Sequence, residues 1–128
     1  MKKYIQLYAF TILLFLASCS GSSVYQGNWK GTDPENNKFE IDFEPKSFKI
    51  TDADGNTTAY QYTQNSVQIN NSEKKYGIQL SDGRKYMILF PISSDTTKAI
   101  LTLENGQPQY VISRTSHISY EELYKLDE

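Results

Sequence analysis

This chain of 128 residues has one cysteine, one histidine and one tryptophan. A single cysteine excludes an internal disulfide, so stability must come from packing. A single histidine leaves little for a histidine-based triad or a zinc site, both of which need several partners. Positive charge is not in excess either: 13 Lys+Arg stand against 15 Asp+Glu, a formal net charge of −2. No face is basic, which argues against nucleic acid as a partner. Beyond the first twenty residues, leucine and alanine are scarce while tyrosine, threonine, isoleucine and phenylalanine are common. That balance favours strands over helices. The long apolar run, Ile5 to Leu16, contains Gln6 and Thr11. It is too short to span a bilayer, which takes ~20 residues.

What is present begins with a leader. Lys2 and Lys3 precede the apolar run, and the small residues Ala17 and Ser18 follow it, then Cys19. This is the layout of a secretory signal. Leu16-Ala17-Ser18-Cys19 resembles the lipobox of bacterial lipoproteins. The resemblance implies cleavage between Ser18 and Cys19, removal of residues 1–18, and acylation of Cys19. Acyl chains add ~0.8 kcal/mol per buried methylene, and two or more chains hold a protein stably to a membrane. Serine rather than aspartate at position 20 points to the outer membrane. Residues 19–23 read as the lipidated cysteine and a flexible Ser-Gly tether. Residues 24–128 are then one domain.

Within that domain apolar and polar residues alternate. Phe39, Ile41 and Phe43 share one face, and Lys38, Glu40, Asp42 and Glu44 the other, the pattern of a half-buried strand. Pro45 ends it. Phe48 and Ile50 continue the inward face, followed by Tyr60 and Tyr62, then Val67 and Ile69, then Tyr76, Ile78 and Leu80. Tyr86 to Phe90 is apolar on both faces and reads as a strand covered on both sides. Ala99, Leu101 and Leu103 and the stretch Tyr110 to Arg114 complete the series. Asp54-Gly55, Asp82-Gly83 and Asn105-Gly106 are hairpin signals. Turns recurring roughly every ten residues predict an all-β antiparallel meander of about eight or nine strands. Such a meander avoids open edges most simply by closing into a small barrel. At the end, Ser119-Tyr120-Glu121-Glu122 fits a capping box. With Tyr120, Leu123 and Tyr124 on one face, it predicts one short C-terminal helix packed on the barrel.

Gly27-Asn28-Trp29 matches the Gly-X-Trp motif at the first strand of lipocalins. Arg114 ends the last strand, where those families place an arginine against the tryptophan ring. In layout the domain therefore resembles a lipocalin-like barrel. The resemblance implies that Trp29 and Arg114 touch and close one barrel end. The strands are short for that family, so aromatic side chains could fill much of the interior.

Reactive chemistry is sparse. His117 stands in a polar stretch and reads as a surface residue. Asp52-Ala53-Asp54-Gly55-Asn56 begins like a calcium loop, but its glycine is misplaced and Thr63 stands where the closing glutamate belongs. Glu40, Asp42 and Glu44 read as a solvated strand face. No catalytic residue, metal ligand or cofactor is expected. Asp95-Thr96-Thr97 resembles a short O-glycosylation acceptor of some bacterial envelopes, with Thr96 as acceptor. Tyr60, Tyr62, Tyr76, Tyr86 and Tyr110 are the candidate contacts, because an apolar ring with a polar tip suits a barrel mouth or a protein contact. Ser81 to Tyr86 loosely resembles the Ser-Gly-X-X-Tyr loop of lipid-anchored lysozyme inhibitors, with Asp82 intervening. The expectation is a membrane-anchored, non-enzymatic envelope protein. Its partner is either a small apolar or amphipathic ligand, or another envelope protein that it inhibits, neutralises or assists.

Overall fold

The computed structural model describes residues 21–70 and 73–122. The leader, Cys19, Ser20 and the stretch 123–128 lie outside the described residues, and with them the cleavage, acylation and most of the expected helix. Eight strands follow one another: β1 (Gly27–Thr32), β2 (Lys38–Phe43), β3 (Ser47–Thr51), β4 (Thr57–Asn70), β5 (Glu73–Leu80), β6 (Lys85–Phe90), β7 (Lys98–Leu103) and β8 (Pro108–Ser113). Each pairs antiparallel with the next, and β8 returns to β1, with Gly31 opposite Ile112. Closure leaves no sheet edge along that seam.

The alternating residues fill the barrel. Trp29, Ile41, Phe43, Phe48, Ile78, Ile88, Phe90, Leu101 and Ile112 are buried in one core. Strand β4 accounts for the choice between eight and nine strands. It is a single strand of 14 residues, broken in register by a β-bulge between Gln64 and Ser66. The extra residue switches the face that pairs with the inward residues of β5 from even to odd numbers, and past it Val67 and Ile69 run beyond the core and are exposed. Tyr62 sits opposite Leu80, whereas Val67 sits opposite Tyr76. The change of parity between Tyr62 and Val67 is thus a bulge within one strand.

The hairpins β1–β2, β3–β4, β5–β6 and β7–β8 lie at one end, and all four turn in the same way. In each, a backbone N–H closes onto the carbonyl three residues back, as Gly55 does onto Asp52 and Gly106 onto Leu103. The residue making that bond has positive φ: 65° at Asn36, 87° at Gly55, 97° at Gly83 and 92° at Gly106. This is a type I turn followed by a left-handed residue, which glycine adopts freely. The Asp52 carboxylate accepts the N–H groups of Asp54 and Asn56 at 3.0 and 2.9 Å. The apparent calcium loop is therefore an Asx-stabilised turn.

Two segments outside the strands complete the fold. Residues 21–26 cross the other end. The Gly21 N–H donates to the Pro45 carbonyl at 2.7 Å. The Ser22 N–H and hydroxyl donate to Gln64 Oε1 at 2.9 and 2.8 Å. Residues 21–23, expected in a flexible tether, are instead fastened to the barrel, because their donors find fixed acceptors there. After β8 the chain folds back outside. Ile118 packs on the outward side chains of Ile100 and Val111. His117 Nε2 lies 3.0 Å from the Phe39 carbonyl, and the Tyr120 N–H donates to Asn36 Oδ1 at 2.9 Å. This strap moves the expected two-sided burial. In β6, Met87 and Leu89 are only half-buried, whereas Ala99 to Thr102 of β7 are buried on both faces. Within the described residues the predicted helix is one 3-10 turn, Tyr120–Glu122.

Candidate functional site

The barrel has one closed end and one open mouth. At the closed end Tyr25, just ahead of β1, is fully buried and packs against Phe43, Tyr62 and Tyr76. Its hydroxyl donates to Gln64 Oε1 at 2.7 Å. Tyr62 donates to the Glu44 carbonyl. Burial pushes the pKa of both phenols up. Trp29 is fully buried beside Phe90, and its indole N–H donates to the Tyr25 carbonyl at 2.8 Å. The Arg114 guanidinium carbon sits 3.9 Å from the centre of the Trp29 ring. Arg114 also donates to the carbonyls of Asn28 and Val24 at 3.1 and 3.0 Å. The structure thus brings Trp29 and Arg114 together and turns Arg114 into a clasp between the barrel and the segment before β1.

The five candidate tyrosines divide between the two ends. Tyr62 and Tyr76 belong to the closed core. Tyr60, Tyr86 and Tyr110 are half-buried at the mouth, lining a cavity of about 150 Å³ with Phe48, Ile50 and Leu101. Strand pairing sets them there: Tyr60 faces Phe48 across β3–β4, and Tyr110 faces Leu101 across β7–β8. Tyr60 stacks on Phe48 with ring centres 5.0 Å apart, and Tyr110 meets Phe39 edge-on at 5.2 Å. Burial raises the Tyr110 pKa, and its hydroxyl makes no hydrogen bond among the described residues.

Arg84 and Gln109 also line the mouth, and sequence reasoning missed both. Arg84 follows the left-handed Gly83 and turns back over the opening. Its guanidinium holds the Asp82 carboxylate at 2.7 and 2.9 Å, donates to the Tyr86 hydroxyl at 3.3 Å, and lies 5.1 Å from the Tyr60 ring centre. This pairing holds the exposed Asp82 carboxyl below its usual range. The signal available was a cation directly after a hairpin glycine and two residues before an inward tyrosine.

Pockets for whole small-molecule ligands run to ~300–1,000 Å³. A larger hollow, about 520 Å³, lies on the outer sheet face around Gly77, Met87 and Leu89, ringed by Glu73, Lys75, Lys85 and Glu104. It is not the barrel interior. Glu40 pairs outside with Lys30 at 2.9 Å. Among the described residues no three His, Cys, Asp or Glu side chains gather as metal ligands. Thr96 is exposed in the β6–β7 loop, where the Asp95 carboxylate is bonded to Thr97.

Fold and geometry together define the class: a small closed antiparallel β-barrel with one filled and one open end, an architecture compatible with a binding protein. Comparison with protein-family models, with curated proteins and with solved structures returned no match.

Proposed function

We propose that this chain is a lipid-anchored, non-enzymatic binding protein of the bacterial envelope, lipocalin-like in its barrel, that grips a protein partner through its mouth. The observation that carries this reading is the filled interior. Trp29, Tyr25, Phe43, Phe48 and Phe90 are fully buried, and about 150 Å³ remains at the opening. That space suits one inserted side chain or chain end of a larger partner. It does not suit a lipid tail swallowed whole. The rim also resembles a protein contact: tyrosine and arginine are the residue types that dominate binding hot spots. The lipocalin-like reading draws support from Arg114 over Trp29 and from the eight-stranded closure. The anchor draws on Leu16-Ala17-Ser18-Cys19, and the outer-membrane destination on Ser20. The non-catalytic reading draws on the placement of His117 outside the barrel and on Asp52 and Asp95, whose carboxylates are occupied by turn N–H groups.

Site-specific photo-crosslinking in the native host tests the proposal. A crosslinker replacing Tyr60 or Tyr110 in the full chain is expected to capture a defined protein. The same group replacing the outward Lys49 is expected to capture none. A stoichiometric lipid co-purifying with the wild-type barrel, without any protein adduct from the mouth, would reject the reading in favour of a small-ligand carrier.

A further inference from the structure

Among the described residues the exposed large hydrophobic side chains are Val67, Ile69 and Ile92, at 49, 70 and 37 % exposure. They share one end of the barrel. Val67 and Ile69 stand on β4 after its last pairing with β3, at Ser47–Gln61, where β4 and β5 continue as a hairpin. Ile92 stands in the β6–β7 loop at the same end. Gly21 enters there too, hydrogen-bonded to Pro45 in the β2–β3 turn. Lys74 and Lys75 lie directly across the ladder from Ile69 and Gln68. The opposite end carries the tyrosine mouth.

We infer that this closed end rests on the membrane surface, with Val67, Ile69 and Ile92 in the lipid interface and Lys74 and Lys75 among anionic headgroups. The inference rests on the anchor reading above and deepens it. Only Ser20 separates Cys19 from Gly21, whose N–H is fastened to the barrel. Two residues reach at most ~7 Å. Acyl chains on Cys19 therefore hold the closed end against the bilayer, where apolar side chains sink ~5–10 Å into the headgroup boundary. Val67 and Ile69 then meet hydrocarbon instead of water, and basic residues beside them gain from the negative surface potential. The mouth points away from the membrane, toward an envelope partner.

The test uses the mature acylated protein in vesicles of phosphatidylethanolamine and phosphatidylglycerol. With Cys19 acylated, an introduced cysteine is the free thiol available to an environment-sensitive fluorophore. Val67→Cys, Ile69→Cys and Ile92→Cys are expected to give blue-shifted emission, quenched by spin-labelled lipid. Thr57→Cys and Asn105→Cys, at the mouth end, are expected to stay water-like. An acylated Cys19 with equally wet probes at both ends overturns the inference and leaves the anchor standing. A free Cys19 thiol, detected by mass spectrometry and by labelling of the wild type, overturns the anchor reading and the orientation with it.

Discussion

Tyr25, Tyr62 and Tyr76 close one end of the barrel, while Tyr60, Tyr86 and Tyr110 ring the other. The residue type is the same, but its partners differ. At the closed end Tyr25 packs at a tilt against Tyr62 and Tyr76, and the hydroxyls of Tyr25 and Tyr62 donate to Gln64 and to the Glu44 carbonyl. At the mouth the Tyr60 ring lies between Phe48 and Arg84, the Tyr86 hydroxyl accepts from Arg84, and Tyr110 meets Phe39 edge-on while its hydroxyl makes no hydrogen bond among the described residues. A tyrosine whose tip is satisfied within the chain contributes to stability. One whose tip is left open keeps that capacity for another molecule.

This contrast can be broken from either side. The largest effect is expected from Trp29→Ala, which empties the fully buried centre of the closed end. Such truncations cost ~3–5 kcal/mol, and urea unfolding should show a loss of that size. Arg114→Ala comes next. It removes the cation over the ring and two donors to backbone carbonyls, for a loss of about 2 kcal/mol. Arg114→Lys should recover only part of it, because an ammonium lacks the flat fork. An equal stability for Arg114→Ala and wild type would mean that the clasp is ornamental.

Tyr25→Phe should cost about 1 kcal/mol by deleting one buried hydrogen bond. It also sharpens a pH dependence. Burial raises the folded-state pKa of Tyr25 and Tyr62, while an unfolded tyrosine titrates near ~10. Above that pH the unfolded chain loses protons that the folded chain keeps. The stabilisation is therefore complete below ~10 and declines as pH rises toward the folded-state values. Denaturation curves from neutral pH upward should follow this decline, and Tyr25→Phe should make it shallower. The smallest effect on stability belongs to the mouth. Tyr110→Phe should change unfolding by less than about 0.5 kcal/mol yet weaken capture of the partner. A large loss of stability with intact capture would assign Tyr110 to the core instead.

Much of the fold was legible beforehand. The alternation of Phe39, Ile41 and Phe43, and the turns at Gly55, Gly83 and Gly106, predicted an all-β meander closing on itself, and the barrel has that form. Less was legible at the site. Tyr60 and Tyr62 stand on the same face two residues apart, and nothing local separates a rim residue from a core residue. Tyr25 precedes the first strand and Arg84 stands in a turn, so neither carries a periodic signal that would place it inside the barrel.

The sequence by itself determined the alternation within each strand, because the strand period of two is local and each turn carries its own left-handed residue; past the β4 bulge that alternation did not place Val67 and Ile69, which are exposed. The tertiary structure alone decided how deep each inward residue lies. Depth along a barrel depends on strand tilt, on the register carried around eight ladders, and on which segment plugs an end. Residues 21–26 plug one end through contacts with Pro45 and Gln64, far along the chain. The strap after Ser113 then covers Ile100 and Val111 from outside. Such long-range pairings leave no periodic trace in the chain, so the difference between a tyrosine that holds the barrel together and one that faces a partner arises only on closure.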